Sequence, residues 1–254
     1  MSVYQFYCYF CRMKRITDFK YFSNFYASRR PLSKRGHISL PDKLGLIQEK
    51  LSPRGKSING VYYSFIHQVD HENLPLAILE LVQNHWGDIS KSLGFDDIVM
   101  RQADFYRTVA VPKTIEAENS EVFANAWHRD TTGIPNIQIF ILLQETSSEM
   151  GPLQYVPAEL HKDTRSKFPN LYKTKSRNIN MRLPDDNYLE FTGSRGDYLL
   201  LNTSCQLHRA TISTSDRNRD MISLVFEPEK LCDEAPITQL DYSNLSKLIK
   251  LRDF

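Results

Sequence analysis

The chain has few cysteines, little net charge and no long apolar run. Four cysteines in 254 residues do not make a disulfide framework. Cys8 and Cys11 form a C-x-x-C, but no second pair follows at zinc spacing, so two reduced cysteines are expected there. Thirty-two basic against 30 acidic residues leave a formal charge of +2, without the basic excess that nucleic-acid binders usually carry. No apolar stretch approaches the roughly 20 residues needed to span a bilayer. The first residues, Met-Ser-Val-Tyr-Gln-Phe-Tyr, lack the charged and aliphatic regions of a secretion signal. A cytoplasmic protein without a membrane partner is the expectation. Ten glycines and 12 prolines exclude collagen-like and low-complexity sequence, and no internal repeat is present.

What is there is ordinary in bulk: 41% apolar and 24% charged residues, enough for a packed core. The chain is read as one domain, 1–254. Its parts are an N-terminal helical and irregular portion (1–96), a β-rich portion (97–230) and a C-terminal helix (231–254, its core over Leu240–Leu251). The first 70 residues read as irregular, aromatic and basic. Arg12, Lys14, Arg15, Lys20, Arg29, Arg30, Lys34 and Arg35 alternate with Phe19, Tyr21, Phe22, Phe25 and Tyr26. A packed segment with a solvated basic face accounts for them, and a surface for an anionic partner is the alternative.

Residues 74–93 carry Leu74, Ile78, Leu81, Val82, His85 and Ile89 at helical spacing, with Pro75 at the start and Gly94 at the stop. From residue 97 the period shortens. Ile98–Met100, Phe105–Val111, Phe123–His128, Ile137–Leu143, Leu153–Val156, Tyr188–Phe191, Asp197–Leu201 and Asp220–Phe226 read as strands. Many short strands without alternating helices predict an antiparallel sandwich or jelly roll and exclude Rossmann and TIM-barrel designs.

The chemistry lies in Trp127-His128-Arg129-Asp130. On an extended segment, i and i+2 share a side, so His128 and Asp130 present an imidazole and a carboxylate together. A third metal ligand would come from another strand. The candidate is His208, after the apolar run that follows Gly196-Asp197. Two histidines and a carboxylate form the facial triad of non-haem Fe(II) oxygenases, which leaves three coordination positions open. Eleven residues on, Arg219 begins a strand from which it could hold a carboxylate with two hydrogen bonds. Arg217, of the same parity but inside a polar turn, competes with it. His161-Lys162-Asp163 is a second H-x-D in a charged, helix-like stretch, where i and i+2 do not share a face. Gln138 and Tyr106 lie on strands able to face a barrel lumen. Trp127 reads as core packing, and His67, His71 and His85 as surface or half-buried residues.

In order, four features resemble the phytanoyl-CoA dioxygenase-like family of Fe(II)/2-oxoglutarate oxygenases. They are Trp127-His128-Arg129-Asp130; the apolar strand Ile139–Leu143 followed by Gly151-Pro152-Leu153-Gln154-Tyr155-Val156-Pro157; Gly196-Asp197 with its run to His208; and Arg219. The match covers about half the chain. It implies a double-stranded β-helix (a cupin-like jelly roll). It implies iron held by His128, Asp130 and His208, and 2-oxoglutarate chelating the iron with its far carboxylate on Arg219. O2 would be consumed and a C–H bond of a small-molecule substrate oxidised. Hydroxylation is the default; desaturation, cyclisation and epimerisation use the same triad. Asn125 stands where some relatives place an amide that touches 2-oxoglutarate. Two positions depart from the pattern. The loop Pro157-Ala158-Glu159-Leu160-His161 lacks the family's glycine and has its histidine one place late. Met221 replaces a serine of some branches. An oxygenase acting on nucleic acid or protein, and a metal-binding β-helix protein with no oxygenase activity, remain as alternatives. The sequence leaves the oligomeric state open.

Overall fold

A computed structural model of the chain describes residues 30–42, 44, 51–54, 57–58, 60–112, 124–130, 134–173 and 182–229, and seven positions between 240 and 249. The C-x-x-C and most of the basic aromatic segment lie outside these residues. So do Phe123 and much of the expected C-terminal helix.

Among the described residues, ten strands make two antiparallel sheets. The larger orders its strands β1 (Ser33–His37), β8 (Asp197–Leu201), β5 (Ile137–Leu142), β10 (Arg219–Pro228), β4 (Ile98–Thr108), β3 (Ser64–Gln68) and β2 (Ser52–Pro53). The smaller holds β7 (Leu189–Phe191), β6 (Leu153–Tyr155) and β9 (His208–Ala210). From β5 onward the chain passes back and forth between the sheets. The described fold is thus mostly antiparallel sheet with few helices. Two expectations for the N-terminal part need correction. Residues 33–37 and 64–68, read as irregular, are strands. Their polar, weakly alternating sequences hide this, and pairing with β8 and β4 supplies the order that local propensity does not. Lys34 pairs with Asp88 at 2.7 Å and Arg35 donates to the carbonyls of Glu190 and Thr192, so the described end of the basic stretch is engaged within the fold.

Helix α1 (Leu76–Leu93) follows the expected pattern. Pro75 precedes it. Gly94 ends it at φ 75°, where an L side chain would be strained, and donates its N–H to the Ser90 carbonyl. The buried stripe of α1 (Ile78, Leu79, Val82, Trp86, Ile89, Leu93) packs on one face of the large sheet, against Ile137, Ile139 and Ile141 of β5 and Ile222, Leu224 and Phe226 of β10. The other face of the same strands packs against the small sheet: Phe140, Leu142, Leu199, Leu201 and Met221 meet Leu153, Tyr155 and Phe191. Covered on both faces, β5 has no reason to alternate, which explains its unbroken apolar sequence.

Ile98–Met100 and the expected strand from Phe105, as far as Thr108, are parts of one strand, β4, with an irregularity where they were separated. Val225 pairs with Gln102 and Phe226 with Met100, which leaves Arg101 as the extra residue. The bulge reverses side-chain parity. Met100 before it, and Ala103 and Phe105 after it, all face α1. Gln102, Tyr106 and Thr108 thereby face the interior between the sheets. At the other end of the chain Leu240, Leu245 and Ile249 are buried in the α1 core, and residues 245–247 are helical.

Candidate metal and carboxylate site

Residues 124–128, the described part of the strand expected at Phe123–His128, do not form it. Ala124 sits at φ 43°, and the segment meets β9 through a single bridge. Its backbone is nonetheless pinned. His128 and His208 exchange N–H to carbonyl bonds of 3.0 and 2.9 Å, Asp130 N–H donates to Thr203 O at 2.9 Å, and Ala210 N–H to Ala124 O at 3.0 Å. These bonds set His128 beside His208, with ring centroids 4.4 Å apart.

Three side chains converge there. Asp130 Oδ1 lies 3.8 Å from His128 Nε2 and 3.6 Å from His208 Nε2, and donor atoms of the three lie within 4.8 Å of one another. Each imidazole has its other nitrogen on a backbone carbonyl: His128 Nδ1 on Ala126 O at 2.8 Å, His208 Nδ1 on Gln206 O at 3.2 Å. A carbonyl only accepts, so Nδ1 carries the proton and the neutral ring keeps its Nε2 lone pair for the centre of the group. Burial works to raise the Asp130 carboxyl, but the charge that His208 and His128 carry when protonated, with the Thr203 hydroxyl, outweighs it and holds the carboxyl down at about 2. An ionised carboxylate and two imidazole lone pairs on one point are a donor set suited to a divalent transition metal.

The group lines a cavity of about 470 Å³ between the sheets. Arg219 lines it too and is 4% exposed. Its guanidinium donates to the Gly151 carbonyl and, at 3.1 Å, to Thr108 Oγ1, directly across the ladder. Burial lowers the Arg219 pKa to about 10. Its Nε has no hydrogen-bond partner, and among the described residues no carboxylate forms an ion pair with it. A buried cation without a counter-charge is costly unless a ligand supplies one. Arg217 is exposed.

Gly151 is required where it is. It has φ +67°, and a Cβ there would lie 2.6 Å from Thr211 O and 2.7 Å from Ser213 N, both backbone atoms. Gly151→Ala should lower stability by more than about 2 kcal/mol and displace the carbonyl that holds Arg219. Denaturant unfolding of the variant measures it.

Other sequence candidates separate clearly. His161 is buried and Asp163 exposed on helix α2 (His161–Lys167), where Asp163 pairs with Lys167. Burial, aided by Arg165 and Arg129, holds His161 down at about 4. Trp127 is core, packed with Val156, Leu171 and Leu207. His67, His71 and His85 are half-buried and do not line the cavity. Gln138 and Tyr106 do line it. Asn125 is buried but is not among the lining residues.

Sequence reasoning passed over Thr108 and Asp104. Their signal was parity: both share the face of Tyr106 on β4. Asp104 is 1% exposed, and its Oδ2 accepts from Gln102 Nε2 at 2.5 Å and Tyr106 OH at 3.0 Å. Burial raises its pKa from 3.8 to about 6, against the opposing pull of Tyr106, Arg54 and Gln102. A carboxyl whose folded pKa is raised costs stability as pH rises, because the unfolded chain releases its proton first. The cost grows between about pH 4 and pH 6 and is complete above that. Asp104→Asn should therefore be more stable than wild type at pH 7, by up to about 3 kcal/mol, and match it below pH 4. Urea midpoints across pH 3.5–7.5 test this.

No protein-family model and no curated protein sequence matches the chain. Solved structures do. The fold is that of non-haem, α-ketoglutarate-dependent enzymes of known structure. The epimerase SnoN, described in complex with Fe3+, alpha ketoglutarate and nogalamycin RO, superposes with a TM-score of 0.50 at 13% identity, over 87% of this chain and 91% of that one. The carbocyclase SnoK from nogalamycin biosynthesis gives 0.50 at 15% identity, over 89% and 95%. At these identities the likeness establishes a shared fold. No helix among the described residues is long and apolar enough to cross a membrane.

Proposed function

We propose that the protein is an Fe(II)/2-oxoglutarate-dependent oxygenase. It would act on a C–H bond of a small molecule, with one domain built on a double-stranded β-helix of the phytanoyl-CoA dioxygenase-like kind. The observation that carries the reading is a single cavity that holds both a two-histidine, one-carboxylate group and a buried arginine with no carboxylate in ion-pair contact among the described residues. His128, Asp130 and His208 would hold the iron. Arg219, steadied by Thr108 and Gly151, would take the far carboxylate of 2-oxoglutarate. Asn125 is assigned to the co-substrate by resemblance alone.

Iron with 2-oxoglutarate supplies an oxidant from O2, with release of succinate and CO2. The chain's own part is to leave three coordination positions open, to orient the co-substrate and to keep water out. Leu153, Phe140, Met221 and Ala210 supply apolar wall for that exclusion, and Tyr106, Gln102 and Arg54 give the cavity a polar side for a substrate. Small-molecule substrates and natural-product chemistry agree with what SnoN and SnoK are described as doing.

Anaerobic titration of the apoprotein with Fe(II) and then 2-oxoglutarate tests the proposal. A visible metal-to-ligand charge-transfer band is expected. Tight zinc binding with no response to 2-oxoglutarate would instead favour a metal-binding protein without oxygenase activity.

A further inference from the structure

We propose that Gln138 fixes which oxygen of Asp130 is offered to the metal, and that Ser223 in turn anchors the Gln138 amide. The inference rests on the metal-site reading above. Gln138 Nε2 lies 2.8 Å from Asp130 Oδ2 and 3.4 Å from Thr203 Oγ1. Its Oε1 accepts from Ser223 Oγ at 2.9 Å. The direction of the chain is determined by donor chemistry. A flipped amide would turn Oε1 toward an ionised carboxylate, which only accepts. With Nε2 thus on the carboxylate, Oε1 is left to accept from the Ser223 hydroxyl, 0% exposed, which anchors the amide in that pose.

The two oxygens of Asp130 are thereby made unequal. Oδ2 is occupied by the amide. Oδ1 is the oxygen that approaches both His128 and His208. A carboxylate held this way binds a metal through one oxygen. Turned to chelate with both, it would use one of the three positions that a chelating co-substrate and O2 require. The support is rigid as well as specific. Gln138 is on β5 and Ser223 on β10, adjacent central strands in which Val225 pairs with Gln138, so Ser223 is its diagonal neighbour on the same face. Gln138 is a positioning residue: it acts on the metal through Asp130.

The test uses Co(II), a redox-stable ion that takes the same donors, titrated into full-length apoprotein by absorbance, with thermal unfolding as the folding control. Gln138→Leu should weaken Co(II) binding about 10–100-fold, the usual cost of losing a hydrogen bond that orients a ligand. Ser223→Ala should weaken it less, and Ser223→Thr should restore it. The double variant Gln138→Leu/Ser223→Ala should match Gln138→Leu within about twofold, because Ser223 has no route to the metal except through Gln138. A folded Gln138→Leu protein with wild-type Co(II) affinity overturns the inference, and so do losses that add in the double variant. If Gln138→Leu does not fold, the Ser223→Ala and Ser223→Thr pair decides alone: equal affinities overturn it. Asp130→Ala separates the two levels of argument. Wild-type affinity in that variant overturns the metal-site reading itself, whereas a large loss there beside none in Gln138→Leu overturns only the role of Gln138.

Discussion

Arg219→Met should abolish the response to 2-oxoglutarate while leaving metal binding intact. The wild-type guanidinium sits in a cavity wall with its Nε unsatisfied and no carboxylate in ion-pair contact among the described residues. Its two bonds, to the Gly151 carbonyl and the Thr108 hydroxyl, aim it without neutralising it. A dicarboxylate that completes this ion pair gains a desolvated, charge-assisted contact. Removing one partner of such a pair costs about 2–5 kcal/mol, or roughly 30-fold to several thousand-fold in affinity. Arg219→Lys should fall between, since an ammonium cannot reproduce the planar two-point contact. The readout is thermal. In the presence of Fe(II) under anaerobic conditions, 2-oxoglutarate at 100 times its dissociation constant should stabilise wild type by about 2.7 kcal/mol and the Met variant hardly at all. Equal stabilisation of both would remove Arg219 from the site. Thr108→Val is the milder companion. It keeps the shape, frees one N–H of the guanidinium, and should weaken 2-oxoglutarate binding without touching the metal.

His128→Ala is expected to have the other large effect, on the metal itself. With three protein donors, the loss of one leaves a two-point site. The affinity should fall by more than the roughly 10–100-fold that a lost supporting hydrogen bond costs, and the charge-transfer band should vanish with it. Asp130→Ala should do the same and add a second consequence. The ionised carboxylate lies between two imidazoles, so its removal leaves them facing each other with no anion. The depressed Asp130 carboxyl contributes stability above its unfolded pKa of about 3.8, so the Asp130→Ala apoprotein should melt below wild type at both pH 5 and pH 7. Metal affinity by competition with a chelator, and apoprotein melting at pH 5 and pH 7, measure the two effects. His161→Ala is the control: it belongs to the second H-x-D, sits on a helix beside Tyr172, and should leave metal affinity unchanged.

Local pattern and distant contact divide the work of defining this molecule. Helix α1, the apolar strand β5 and the strands β6, β7, β8 and β10 were legible from residue order, because each carries its burial in its own periodicity and turn residues. The residues of the candidate site were legible for a related reason. A histidine, a carboxylate and an arginine at these spacings are chemically conspicuous in a strand-rich sequence of low net charge. Strands β1 and β3 were not legible, since Ser33–His37 and Ser64–Gln68 owe their conformation to their ladders with β8 and β4. The segment 124–128 was misread as a strand: what holds it is β9, across the fold, through one bridge and the bond from Ala210 N–H to Ala124 O.

The sequence by itself determined which side chains could do chemistry and how far apart they stand along the chain. Only the tertiary structure decided what surrounds them. The extra residue Arg101 turns Gln102, Tyr106 and Thr108 toward the cavity, and that depends on a register with β10 which no local pattern encodes. Thr108 meets Arg219, Gln138 meets Asp130, and Ser223 meets Gln138 although these partners stand eight to more than a hundred residues apart in the chain. Hydrogen bonds depend on angstrom-scale position, and position between strands is a property of the packed whole.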